Sequence, residues 1–89
     1  MDRTLRALAD PTRREIVRLL RERDRTAGEI AEHFPMTAAT ISHHLATLRD
    51  AEIVTAERHG RTIVYSLNAT VVQELLATLM RNLGVGESR

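Results

Sequence analysis

Apolar residues recur along the chain at three- and four-residue intervals in four stretches. Ile16, Leu19 and Leu20 form the first stripe, Ile30 and Phe34 a short second, Ile41, Leu45 and Leu48 a third, and Val71, Val72, Leu75, Leu76, Leu79, Met80 and Leu83 a wide fourth. Each spacing marks one face of a helix. Leu5 and Leu8 mark a further short helix at the start. Polar residues punctuate the stripes. Asp10-Pro11 is a helix start, an acidic cap followed by a proline where a missing amide costs nothing. Thr26 and Glu29 have capping-box spacing, so a helix opens near Ala27, and Pro35 stops it after one or two turns. Thr37 caps a helix that runs to about Asp50, and Asn68 caps the last one. Gly84, Gly86 and Ser88 end that helix and leave 84–89 as a frayed tail. Between the third and fourth stripes, Glu52–Arg58 and Thr62–Leu67 are short and rich in β-branched residues, with His59-Gly60-Arg61 between them. That pattern predicts a β-hairpin in which Gly60 supplies a turn conformation that side chains resist.

Two short helices joined by a turn, here Phe34 to Met36, make a helix-turn-helix over 26–50. Its second helix buries Ile41, Leu45 and Leu48 and turns Ala39, Thr40, His43 and Thr47 outward. Small polar tips of this kind suit the major groove of double-stranded DNA. Thr37, Thr40, Ser42 and His43 are the candidates for phosphates or base edges, with Thr47 reaching a neighbouring phosphate. The hairpin tip carries Arg58, His59 and Arg61 with no acid between them, placed for phosphate or the minor groove. The competing readings are an ordinary helical hairpin in a small bundle for 26–50 and a solvated turn for the tip. A helix-turn-helix followed by a basic hairpin is a winged helix, an α+β, mainly α fold of about five helices and a two-stranded β-hairpin wing.

Asp10-Pro-Thr-Arg-Arg-Glu-Ile16, Ser42-His-His-Leu45 and Arg58-His-Gly-Arg-Thr-Ile-Val-Tyr-Ser-Leu67 together resemble the ArsR/SmtB family of bacterial winged-helix repressors. The likeness covers nearly the whole chain and is strongest to the family's small metal-free autorepressors. It implies a DNA-binding homodimer on a pseudo-palindromic operator, with Leu5 and Leu8 of the first helix in the dimer interface.

The wide stripe points to the same assembly from the residues themselves. Val72, Leu75, Leu76, Leu79, Met80 and Leu83 are more than one helix can hide against an 89-residue core. A second copy is the simplest cover, and a monomer that closes its own core is the alternative. The chain divides as one domain, 1–89: scaffold helices over 1–25, the helix-turn-helix over 26–50, the wing over 52–67, a dimerisation helix over 68–83 and the tail over 84–89. No apolar run is long enough to span a bilayer and no leader precedes the first helix, so a cytoplasmic protein is expected.

Net charge is only +1, and all 13 basic residues are arginine, eight of them between Arg3 and Arg25. The helix-turn-helix carries Glu29, Glu32, Arg49 and Asp50 and is nearly neutral. Phosphate affinity must then come from helix N-termini, the wing and some N-terminal arginines.

The absence of cysteine removes thiolate metal sites and disulfide switching. Family members that sense arsenic or cadmium carry a cysteine pair on the first helix of the helix-turn-helix, where this chain has Ala27 to His33. Zinc sensors place ligands on the last helix, where only Glu74 is a candidate. His43 and His44 are adjacent and point about 100° apart on a helix, which suits neither chelation nor a nucleophile–base pair with Ser42. His44 is expected to be a satisfied structural histidine. No metal, cofactor or catalytic group is expected. The competing functions are a winged helix that binds protein, and a repressor that answers a small molecule or an atypical metal site. A sequestering protein is a further candidate partner.

Overall fold

Every helix start marked by a capping residue is present in the computed structural model, which describes residues 2–84. The elements are α1 (Asp2–Ala7), α2 (Pro11–Glu22), β1 (Arg25–Thr26), α3 (Ala27–Ala31), α4 (Ala38–Asp50), β2 (Val54–His59), β3 (Thr62–Leu67) and α5 (Ala69–Leu83). Asp10 Oδ2 accepts from the Arg13 amide at 3.0 Å, Thr37 Oγ1 from the Thr40 amide at 3.2 Å, and Asn68 Oδ1 from the Val71 amide at 3.4 Å. The capping box is complete: Thr26 Oγ1 accepts from the Glu29 amide at 3.1 Å, and Glu29 Oε1 from the Thr26 amide at 2.8 Å. Each bond satisfies a donor that the helix leaves unpaired.

Ile16 and Leu20 of α2, Ile30 of α3, and Ile41, Leu45 and Leu48 of α4 meet Ala7, Ala51, Ile53 and Val54 in one buried cluster. The stripes predicted to face inward therefore do so.

The sheet departs from the two-stranded wing that the sequence suggests. It has three antiparallel strands in the order β1-β3-β2, with Arg25 opposite Tyr65 and Thr26 opposite Val64. A two-residue strand has no periodicity to read, and only pairing with β3 makes it one. Its Arg25 is buried, donating through Nε to the Leu19 carbonyl at 3.1 Å and through NH2 to Glu22 Oε1 at 2.8 Å. β1 thus ties the end of α2 to the wing.

The turn between α3 and α4 is longer than Phe34 to Met36. α3 ends at Ala31, and the amides of His33 and Phe34 bond three residues back, to Ile30 and Ala31, tightening the last turn. Pro35, which offers no amide, follows.

β2 begins at Val54 and not at Glu52, because Glu52 and Ile53 close α4. The Ile53 amide reaches the Leu48 carbonyl at 3.0 Å and the Glu52 amide the Arg49 carbonyl at 2.9 Å, the paired bonds of a Schellman cap. Glu52 takes the left-handed conformation this cap needs, with φ 62°, where glycine is the usual residue.

α5 stands partly clear of the body. Only Leu75 is buried along it, and residues 80–83 are exposed all round. The molecule measures 51 × 24 × 21 Å, and its 14.2 Å radius of gyration exceeds the roughly 12 Å typical of a compact chain this long.

Glu52→Gly should raise stability by about 0.5–1 kcal/mol, as relief of left-handed strain outweighs the extra unfolded-state freedom of glycine. Urea unfolding measures it, and a lower midpoint would mean that the Glu52 side chain stabilises the fold in another way.

Candidate nucleic-acid interface

With Ile41, Leu45 and Leu48 buried, α4 must turn its other side to solvent. Thr37, Ala39, Thr40, Ser42 and His43 are all exposed, and Thr47 is half-buried. Their hydroxyls are not equally free. Thr37 accepts the Thr40 amide and donates to Thr40 Oγ1 at 3.0 Å, so the proton left for a ligand is that of Thr40. Thr47 donates back to the His43 carbonyl at 3.2 Å and offers only lone pairs while that bond lasts.

The two adjacent histidines differ in surroundings. His43 points to solvent. His44 has a side chain 13% exposed and holds Nδ1 3.2 Å from Arg13 NH1. A guanidinium can only donate, so Nδ1 accepts and the imidazole proton sits on Nε2. Asp10 Oδ2 lies 4.0 Å from the same nitrogen, too far for a hydrogen bond. His44 is the satisfied structural histidine the sequence suggested. Arg13 reaches further, to the Ala7 carbonyl at 2.6 Å and the Arg6 carbonyl at 3.2 Å, and so joins α1, α2 and α4.

The wing is closed by two residues, Gly60-Arg61, because His59 pairs with Thr62. Gly60 has φ 65°, and Arg61 is not among the positive-φ residues, which defines a type II′ hairpin turn. Arg58, His59 and Arg61 are exposed. His59 Nε2 meets Glu57 Oε1 at 2.9 Å on one face of β2, while Arg58 lies on the other. The basic tip therefore has an acid, Glu57, beside His59, two residues back on the same face of β2.

Ser42 of α4 and Arg61 of the wing line one cleft of about 450 Å³, floored by Thr26, Ala27 and Gly28 at the start of α3 and closed by Thr62, Ile63 and Tyr65. The helix-turn-helix and the wing thus face a common groove. Sequence reasoning passed over Thr62, though its place directly after Arg61 at the turn was a usable signal.

The residues assigned to a dimer interface divide. Leu75 is 8% exposed and is covered by its own chain, and Val72 and Leu79 are half-buried, as is Leu8. Leu76, Met80 and Leu83 sit on the outer side of α5 with 56, 36 and 72% of their surface exposed, and Leu5 of α1 is 41% exposed. The wide stripe is therefore two stripes, with Leu75 on the inner one. Among the described residues, no three His, Cys, Asp or Glu side chains are grouped to hold a metal ion.

The family model described as "Bacterial regulatory protein, arsR family" matches residues 10–56. Over 88 residues the chain is 43% identical to the transcriptional repressor SdpR of Bacillus subtilis (strain 168), covering 99% of this chain and 98% of that one. It is 37% identical over 81 residues to an arsenical resistance operon repressor of Staphylococcus xylosus, covering 91% and 74%. A crystal structure of a possible transcriptional regulator for arsenical resistance superposes with a TM-score of 0.81 at 35% identity, covering 89% of this chain and 81% of that one.

The cap behind α4 has a pH signature. The Arg13 amide holds the Asp10 carboxyl below its ordinary value against the penalty of burial, with the Arg13 charge adding to the effect. A depressed carboxyl stabilises the fold above its ordinary pKa, and that contribution is lost as the pH falls through the folded value. Asparagine caps but does not titrate. The gap in Tm between wild type and Asp10→Asn should therefore be widest near neutral pH and close in acid; parallel curves would show that the Asp10 charge contributes nothing.

Proposed function

The chain belongs to the arsR family of bacterial regulatory proteins, and from that membership we propose that it is a homodimeric repressor that reads a pseudo-palindromic DNA operator and needs no bound metal. It is a transcriptional regulator and not an enzyme. The observation that carries the reading is the exposed face of α4, small and polar, with Ser42 on its flank sharing a cleft with the wing arginine Arg61. A surface built to hold protein would present large apolar anchors there.

In this reading α4 enters the major groove N-terminus first. The Thr40 hydroxyl, Ser42 and His43 face base edges or phosphates, and the amides that open α4 face a phosphate. Thr47 meets the DNA as an acceptor, or gives up its bond to His43 to reach a phosphate. Arg58 and Arg61 hold the flanking minor groove, with His59 beside them.

The outer stripe of Leu76, Met80 and Leu83, with Leu5, supports the dimer. A stripe so exposed on a helix of 15 residues is stabilised by a second copy, which also doubles the reading heads. The protein then acts in the cytoplasm over a promoter, most simply its own, and blocks polymerase by occupancy. No helix among the described residues is long and apolar enough to cross a membrane. Without cysteine the chain lacks the thiolates of arsenic chemistry, so release falls to a small molecule, a sequestering protein or a fall in concentration.

Fluorescence-anisotropy titration against the chain's own upstream DNA, with and without excess random duplex, tests the reading. Saturable binding at two protomers per site that survives the competitor is the expected result, and binding that random DNA fully competes away would overturn it. His43→Ala should cost about 1–3 kcal/mol on the operator if the imidazole reads a base edge. Arg61→Ala should weaken specific and random binding alike and flatten the salt dependence.

Leu76→Arg should weaken dimerisation by about 2 kcal/mol or more, roughly thirtyfold. Sedimentation equilibrium reads it, and an unchanged dimer would place the interface elsewhere.

A further inference from the structure

Within the helix-turn-helix, Glu29, Glu32 and Asp50 outnumber Arg49, so the phosphate attraction of this chain has to be found outside it. The arginines of the N-terminal helices are the main reserve of positive charge, and the structure occupies most of them. Arg13, Arg14 and Arg25 hold backbone carbonyls. Arg18 is locked between Glu15 and Glu22. Arg23 faces Glu29 at 3.8 Å. Arg21 borders a separate, apolar cleft over Leu8 and Val17.

Arg6 and the unbonded donors of Arg3 remain, and α1 lays both against the C-terminal half of α4. With Ala7, Arg13, Thr47 and Asp50 they line a cleft of about 700 Å³. Thr40, His43, Thr47 and Asp50 follow one another at three- and four-residue steps, which is one face of α4. The cleft is therefore the C-terminal continuation of the face turned toward the major groove.

We propose that α1 is a third DNA contact of each protomer, with Arg6 and Arg3 gripping a backbone phosphate where the strand passes the C-terminal end of the recognition helix. The inference rests on the DNA-reading function proposed above. Arg6 is exposed, and its guanidinium makes no hydrogen bond or ion pair among the described residues, so its whole donor fork is free. Arg3 uses NH1 for the Asp50 carbonyl at 3.2 Å and keeps its other donors. Two guanidinium groups beside one cleft match the oxygens of a single phosphate. The Asp50 carboxylate borders the same cleft, and Asp2 and Glu52 join it around the adjoining one, so no broad positive field surrounds the site. The contact is with one phosphate and not with a tract.

A single lost phosphate contact lowers the slope of log K against log salt by about 0.9. Anisotropy titrations of wild type, Arg6→Gln, Arg6→Lys and the double variant Arg3→Gln/Arg6→Gln, on the upstream fragment and on random duplex between about 50 and 200 mM salt, read this directly. Arg6→Gln or the double variant should lower the slope by about 1.8 on both duplexes, one contact being lost in each of the two protomers, and leave the ratio of specific to random affinity unchanged; Arg6→Gln, which removes no bond within the protomer, should melt at the wild-type temperature. Arg6→Lys should keep the slope. A double variant with the wild-type slope, measured beside an Arg61→Ala variant whose slope falls, would overturn this inference and leave the repressor reading standing. A loss confined to the specific fragment would overturn it too, by moving Arg6 to base recognition. A wild type that binds neither duplex would overturn both.

Discussion

Ile41, Leu45 and Leu48 set the condition that the rest of the molecule meets: α4 must be anchored from behind so firmly that its front can be left bare. The three side chains are all but inaccessible, packed against Ile16 and Leu20 of α2 and Ile30 of α3. Complete burial of such side chains is worth about 1.5–3 kcal/mol each, an upper figure that the entropy of ordering reduces. Because the anchoring is apolar and complete, the outward residues carry no duty to the core. That is why alanine, threonine, serine and histidine can stand there, chosen for what they meet outside.

Arginine takes a second role in this chain, closing helices at their C-terminal ends. Arg13 gathers the Arg6 and Ala7 carbonyls at the end of α1, Arg14 those of Leu8 and Ala9, Arg25 that of Leu19 in α2, and Arg3 that of Asp50 in α4. A guanidinium there satisfies orphan carbonyls and places positive charge at the negative end of the helix dipole. Only α5 ends on a glycine in the left-handed conformation, Gly84 with φ 69°. Arg25 does most in this respect, since the same side chain also pairs with Glu22 and approaches His33 Nε2 at 3.5 Å, at the turn that aims α4.

How far the sequence could be read follows from how local each feature is. Asp10, Thr26, Thr37 and Asn68 act within three residues, and all four caps stand where the sequence puts them. The stripes of α2 and α4 repeat often enough to identify themselves. Features made by distant partners were not legible. β1 exists only because Tyr65 and Val64 lie beside it, and the carbonyl-holding arginines look from the sequence like a solvated face. Leu75 and Leu76 are adjacent apolar residues in the sequence, yet one faces the body and the other does not, which depends on how α5 sits. The end of α3 and the entry to β2 moved because the backbone bonds of Phe34, Glu52 and Ile53 decide them, and no side-chain signal announces these. The family resemblance carried the fold further than periodicity alone.

The bare outer side of α5 links order to amount. A helix of this length is marginal in water without tertiary cover, so in the proposed dimer the distal turns of α5 draw their order from association, and folding and assembly share one equilibrium. The population of fully formed reading pairs then rises as the square of the monomer concentration while the protein is scarce. A chain governing its own promoter would in this way answer its own abundance with a threshold, using mass action on a strip of leucines where other regulators use a ligand.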